Sequence, residues 1–439
     1  MQQPVLLRRL GLATLAGLLA AGCAGSIVVD GGADRAVAPA PVSATSPPVS
    51  PSDASAGLLD DAGLRTVLDD VAEAFLRADP ESVRAHLLDE ESQFGVEWLE
   101  RVSNLAEVPL ASYALELDES LPDLATERVR GQYPDGVQVR YVVERHAIDG
   151  FDETPAAEDL FLTVVPTRDG WKLASDRDAE ALGLVSVDHL WDHGPVRVTI
   201  DGPVAALHHP DGPAVGPLLA EARSALRTAT ERWPLAWPER VPIIVPRDEE
   251  ELGELLHVTF DLSNFVAFAT ATPVSVLGTY ELTGSRIVLN PGRFLNRAPE
   301  TRESILVHEL LHVATRPASG PMVPSWLEEG IAQALGEQRS TTGTRLVDAL
   351  GTSSVALPTD GEFTVGGRDR IFLSYQLAWA FVDHLRRTHG ADQVAALYEA
   401  VGRGALEEPG NEAAQVDRAA TEVFGRSLEA LVQEWRATR

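Results

Sequence analysis

The segment His308-Glu309-Leu310-Leu311-His312 holds the residue types and spacing that point most directly to chemistry. Apolar residues around it predict a helix over 299–316, where side chains four apart stand about 40° apart on one face. Two imidazoles in that geometry can bind one Zn²⁺. Glu309 is not a ligand at this spacing, but it can act as general base on a water whose pKa zinc lowers to about 7. The pattern predicts a zinc site, and a buried helix with incidental histidines is the alternative.

A third zinc ligand is expected from the next predicted helix, which begins at Pro324-Ser325-Trp326-Leu327-Glu328-Glu329-Gly330. A zinc site with two histidines and an open water position often takes a glutamate as its third ligand. Two glutamates are adjacent here. Ser325 and Glu328 have the spacing of a capping box, which gives Glu328 a structural task at the helix start. The same argument leaves Glu329 to face the metal.

Together these two segments resemble the gluzincin metallopeptidases of clan MA, and the bacterial peptidase-MA-like domains in particular. In that family the glutamate directly before the glycine is the third ligand of a single zinc ion, and that position is Glu329. Sixteen residues separate it from His312, somewhat fewer than in the aminopeptidase branch. Metzincins are disfavoured, since Thr315 stands where their glycine would be. The resemblance extends over 357–390, where Tyr375 matches a recurring tyrosine that can hydrogen-bond the oxyanion of the reaction; packing one helix on another is its alternative role.

The segments around this site predict a peptidase-MA-like α+β domain over residues 186–439, with a small mixed sheet and a C-terminal helical part. Helical periodicity covers 217–231. Strands are predicted at 196–200, 205–207, 241–245 and 285–290. The strand at 285–290 is either an edge strand that pairs with an extended peptide substrate or an interior strand. The polar, glycine-containing stretch 336–366 is expected to form a loop over the cleft.

Residues 58–185 predict a separate α+β domain in which helices precede a curved antiparallel sheet. The order of elements and the ending Asp169-Gly170-Trp171-Lys172-Leu173 resemble the nuclear-transport-factor-2-like (NTF2-like) cone. The resemblance implies a binding or spacer module for a small ligand or a protein partner. His86 and His146 stand alone in the sequence, so we expect them to be structural or solvated.

The N-terminus predicts an export signal and a lipid anchor. Residues 1–22 carry Arg8-Arg9 and then an apolar run that is too short to span a bilayer as a mature helix. The run ends in Leu19-Ala20-Ala21-Gly22-Cys23, which resembles a bacterial lipobox, with Cys23 as the lipidated residue. Residues 23–57 are rich in Ala, Pro and Ser and predict a disordered tether. This places the protein outside the cytoplasm, attached to the membrane.

Charge and composition limit the partners. The formal net charge of -30 disfavours nucleic acid, which needs a positive surface. The leading hypothesis is a membrane-anchored zinc metallopeptidase acting on a peptide or protein substrate. The alternative is a non-catalytic lipoprotein that binds a ligand or protein partner and uses zinc only to stabilise its fold.

Overall fold

The computed structural model describes residues 60–257, 262, 265–276, 279–321, 323–336, 356–363, 367–404 and 412–438. The predicted signal segment, Cys23 and the tether therefore lie outside the described residues, and so does most of the stretch 336–366. Within the described part of the chain, no helix is long and apolar enough to cross a membrane.

The first unit, within residues 60–185, consists of helices and a curled antiparallel sheet. Its helices are α1 (Asp61–Leu76), α2 (Pro80–Arg84), α3 (Gln93–Asn104) and α4 (Glu127–Gln132). Its strands are β1 (Leu110–Leu117), β2 (Gln138–Ile148), β3 (Ala156–Thr167) and β4 (Gly170–Ser175), paired in chain order. The concave side packs on α1, where Phe75 stacks on Tyr113 of β1 with ring centroids 4.8 Å apart. The prediction that helices are combined with a curved antiparallel sheet is confirmed, and the NTF2-like resemblance stays a prediction.

The second unit, from residue 186 onward, begins with a five-stranded mixed sheet. Its strands are β5 (Arg197–Asp201), β6 (Val204–His208), β7 (Val241–Val245), β8 (Ala267–Val276) and β9 (Thr279–Leu289). The spatial order is β5-β6-β7-β9-β8, with β6–β7 and β7–β9 parallel. The predicted strand at 285–290 is thus interior, and the edge-strand alternative is wrong. Its backbone pairs with β7 on one side and β8 on the other, so β8 occupies the edge.

Helices make up most of the other residues that the structure describes. Those beside the sheet are α5 (Gly216–Arg232), α6 (Glu249–Leu256) and α7 (Pro291–Phe294). Those that follow are α8 (Pro299–Thr315), α9 (Ser325–Leu335), α10 (Arg368–His389), α11 (Ala391–Arg403), α12 (Glu412–Phe424) and α13 (Leu428–Ala437). One hydrophobic core joins α5, one face of the sheet and these later helices. Inside it, α8 packs on α5, and α9 packs on α10.

The two units share a buried boundary. Leu190, Trp191 and Val196 lie beyond the predicted boundary at 185, yet they pack into the core of the first unit. Arg286 of β9 forms a buried, two-pronged ion pair with Asp152 of the first unit, at 2.6 and 2.7 Å. The segment after 185, together with Ala205 and Leu207 of β6, therefore completes the first core.

Candidate metal centre

Helix α8 carries the two histidines deep in the second core. It begins at Pro299, whose missing N–H costs nothing in the first turn, as the sequence predicted. Every residue from Ile305 to Thr315 is buried, because the apolar positions around the histidines pack on the sheet and on α5. His308 and His312 lie one turn apart on this helix, and their Nε2 atoms are 3.1 Å apart.

Glu329 of α9 completes a group of three. Its Oε2 atom lies 3.4 Å from the Nε2 atom of each histidine. We call these three atoms the ligand triangle. Zinc bonds of about 2.0–2.1 Å in tetrahedral directions place ligand atoms roughly 3.3–3.4 Å apart, so the triangle fits one Zn²⁺. Among the described residues the group has these three members, which matches a tetrahedral site with one position left for water.

Burial sets the protonation state of the two imidazoles. The exposed fractions of His308, His312 and Glu329 are 0, 4 and 1%. Burial lowers the pKa of His308, and burial together with the charge of Arg316 lowers the pKa of His312 to about 3. Both rings are therefore neutral at pH 7, which is the form that binds a metal ion. Arg316 also donates a hydrogen bond of 2.7 Å to the carbonyl of Ala269, which ties the end of α8 to the edge strand β8.

The predicted capping box at the start of α9 is wrong. Pro324 occupies the N-cap position, and its side chain cannot accept a hydrogen bond from the helix backbone. Asp360, from a 3-10 turn that follows in the chain, instead accepts a hydrogen bond of 2.8 Å from the backbone N–H of Ser325. Glu328 faces inward, where Tyr398 and Ser319 donate hydrogen bonds to its Oε1 atom at 3.3 and 3.4 Å. Glu328 thus has a structural role, but a different one, and Glu329 reaches the histidines as predicted.

The buried setting of Glu328 has an electrostatic consequence. Burial, and then the charge of the neighbouring Glu329, raises the pKa of Glu328 to about 7. Two adjacent carboxylates therefore lie in very different surroundings. Glu328 accepts hydrogen bonds from hydroxyl groups, and Glu329 lies beside two imidazoles.

Gly330 allows α9 to approach α10 closely. A Cβ atom at this position would lie 2.8 Å from the carbonyl oxygen of Ala378 and would overlap the Val382 side chain. This explains why a glycine follows Glu329: the helix that carries the third ligand rests directly on the backbone of α10. The distance between Glu329 and the histidines of α8 therefore depends on the contact between Gly330 and α10.

A second close approach fixes the loop between α8 and α9. Cβ atoms at Gly320 and Gly402 would each overlap backbone atoms, those of Gly402 and those of Ala318 respectively. The loop therefore rests against the end of α11 without intervening side chains. Helix α11 therefore supports the loop that joins α8, which carries the two histidines, to α9, which carries Glu329.

The remaining predicted residues are placed as follows. Glu309 is fully buried beside His308 on α8. Tyr375 is 1% exposed on α10, and its ring meets Phe363 edge-on at 5.1 Å. This supports the packing role expected for Tyr375, while its role toward an oxyanion stays a prediction.

The structure also brings together a group that the sequence did not predict. Glu144, His146 and His189 are buried in the first unit with possible ligand atoms within 4.8 Å of one another. His146, which stands alone in the sequence, is buried and lies close to His189, which comes from 43 positions further along the chain, so a solvated role is wrong for His146. Glu144 and His146 are two apart on β2 and so share one face of the sheet, which was the available signal. The His86 imidazole lies 3.7 Å from the carboxylate of Asp70, and burial together with the nearby charge of Lys172 lowers the pKa of His86.

Comparison with known proteins gives no assignment: no protein-family model matches this chain, and no curated protein matches it.

Proposed function

We propose that this protein is a zinc-dependent metallopeptidase of gluzincin type. The ligand triangle carries the proposal. Two neutral imidazoles and one carboxylate, all buried, place their ligand atoms 3.1–3.4 Å from one another. In this proposal His308, His312 and Glu329 hold one Zn²⁺.

When bound, the zinc ion would polarise a peptide carbonyl and lower the pKa of water in its fourth position. Glu309 would take a proton from the attacking water and deliver it to the leaving amine. Glu309 follows His308 directly, so it lies on the same helix, α8, as two of the proposed zinc ligands. Tyr375 would donate a hydrogen bond to the oxyanion.

Location and substrate follow from the same proposal. Cys23 would carry the lipid and hold the enzyme outside the cytoplasm, where peptides or proteins are its substrates. The curled sheet of the first unit would act as an NTF2-like module for a ligand or protein partner.

The test compares wild type with Glu309→Gln in zinc content and in cleavage of a proteome-derived peptide mixture. We expect one zinc per ligand triangle in both proteins, with cleavage about 10²–10⁴-fold slower in the variant because the general base is lost. Glu300→Gln is the matched control, since Glu300 lies exposed in the first turn of the same helix. Wild type without zinc, or equal cleavage by both proteins, would overturn the proposal.

The second candidate function is a non-catalytic lipoprotein in which zinc only stabilises the fold. The nearly complete burial of His308, His312 and Glu329 favours it, because structural zinc sites are closed to solvent. The two candidates differ in one measurement. If zinc raises the melting temperature of wild type and Glu309→Gln equally and wild type cleaves no peptide, the structural role is correct.

A further inference from the structure

The concave side of the first sheet carries two carboxylates directly opposite each other. Glu144 of β2 and Glu158 of β3 are cross-strand partners, so their side chains lie on the same face. Like charges in this arrangement destabilise a sheet unless something positive lies between them. Glu144 is fully buried, so water cannot separate the charges there.

Two histidines converge on this pair. His146 follows Glu144 by two residues on β2, and its Nδ1 atom lies 3.7 Å from Oε2 of Glu158. His189 comes from the segment that joins the two units, and its Nε2 atom lies 2.9 Å from Oε1 of Glu144 and 3.5 Å from Oε2 of Glu158. We call Glu144, His146, Glu158 and His189 the second cluster.

Three atoms of the second cluster are buried and have no hydrogen-bond partner among the described residues: Oε2 of Glu144, Nδ1 of His146 and Oε2 of Glu158. Buried polar atoms in folded proteins are almost always satisfied. Glu144 and His146, together with His189, form a buried group whose possible ligand atoms lie within 4.8 Å of one another. A single ion held by these three residues would give Glu144 and His146 a partner, and the Glu158 carboxylate lies 3.5–3.7 Å from the two imidazoles.

We propose that the second cluster binds a divalent transition-metal cation of the Zn²⁺ type, separate from the ligand triangle. The two imidazoles and the Glu144 carboxylate form a donor set typical of zinc, and the neighbouring Glu158 carboxylate helps to balance the charge of the ion. The Nε2 atom of His189 lies 2.9 Å from Oε1 of Glu144, and the three possible ligand atoms all lie within 4.8 Å of one another. All three residues are buried, which is typical of a structural zinc site closed to solvent.

The neighbouring groups support the arrangement. Tyr113 donates a hydrogen bond of 2.8 Å to Glu144, and Trp191 stacks on His189 with ring centroids 4.4 Å apart, so both ligands are held in place. Two arginines lie close enough for their charges to act on His146, but each has its own carboxylate. These pairs are Arg101 with Asp192 and Arg286 with Asp152.

The site would fasten the segment between the two units to the first sheet. His189 precedes Trp191, which belongs to the core of the first unit. A metal ion bound by β2 and His189 would cross-link that core with the chain that leads into the second sheet. Its loss would therefore lower the melting temperature of the protein and leave the residues of the ligand triangle unchanged.

The test counts zinc in the full chain after loading with Zn²⁺ and removal of excess. We expect two ions per chain in wild type and one in a His308→Ala, His312→Ala variant. A His146→Gln, His189→Gln variant should also hold one ion, and all four changes together should leave none. His86→Gln is the matched control and should keep two.

The melting temperature of the His308→Ala, His312→Ala variant with and without Zn²⁺ gives a second measurement, which does not depend on changes to the second cluster. We expect Zn²⁺ to raise it. If this variant is folded by circular dichroism yet holds no zinc and melts unchanged, the second site does not exist. If wild type holds one ion that disappears only with His146→Gln and His189→Gln, the second site stands and the proposed peptidase centre fails.

Discussion

Replacing Gly330 with alanine would add one methyl group between α9 and α10. That methyl would lie 2.8 Å from the carbonyl oxygen of Ala378 and against Val382. The favourable separation between non-bonded heavy atoms is about 3.5–4.0 Å, so the two helices must part by roughly 1 Å. Val382 can change its rotamer, but the Ala378 carbonyl belongs to the helix backbone and cannot turn aside.

Two opposing effects set the magnitude. Overpacking of a core costs about 1–3 kcal/mol, and the rigid carbonyl favours the upper half of that range. Alanine gains about 1 kcal/mol over glycine inside a helix. We therefore expect a net loss of about 1–2 kcal/mol in the free energy of unfolding. Because Glu329 is the preceding residue, we also expect zinc affinity to fall about 10–100-fold, as when a supporting contact of a ligand is lost.

The assay combines urea unfolding with zinc titration on Gly330→Ala and on a control, Gly131→Ala. Gly131 lies exposed in α4, and a Cβ atom there would meet nothing within 4 Å. The control should gain up to about 1 kcal/mol and leave zinc affinity unchanged. If Gly330→Ala is stabilised like the control and binds zinc as wild type does, the close approach of α9 to α10 does not position Glu329.

Three further predictions concern activity and the boundary between the units. Glu309→Gln should retain zinc and lose peptide cleavage about 10²–10⁴-fold, measured as kcat beside metal content. Tyr375→Phe should lower kcat about 10²–10³-fold with zinc retained if the hydroxyl contacts the oxyanion, whereas Tyr141→Phe, remote in the first unit, should not change it. Asp152→Asn should lower the free energy of unfolding by about 3–5 kcal/mol, because Arg286 is left buried without its counter-charge; a loss below 1 kcal/mol in urea unfolding would contradict this.

Much of the candidate site could be predicted because the positions of its residues are set by sequence patterns within single helices. His308 and His312 are positioned by the period of one helix, and Pro299 marks where that helix begins. The mixed α+β architecture also followed from local patterns, since α1 carries its apolar residues at helical spacing and β7 is a short, continuous apolar run.

Contacts between distant segments account for what the sequence did not predict. The cap of α9 comes from Asp360, which is 35 residues beyond Ser325, so a local capping rule chose the wrong partner for Glu328. The interior position of β9 depends on the pairing of β7 and β8, which no spacing within β9 encodes. His189 meets His146 only after the chain has crossed the sheet, and single residues with distant partners look isolated in a sequence.

The placement of Leu190, Trp191 and Val196 in the core of the first unit has a consequence for how the molecule unfolds. A chain ending at residue 185 would lack apolar side chains that this core needs, and it would expose the surface that they cover. The second sheet would in turn lose the carboxylate of Asp152 that neutralises Arg286. We therefore expect the two units to unfold together, and calorimetry should record a single melting transition.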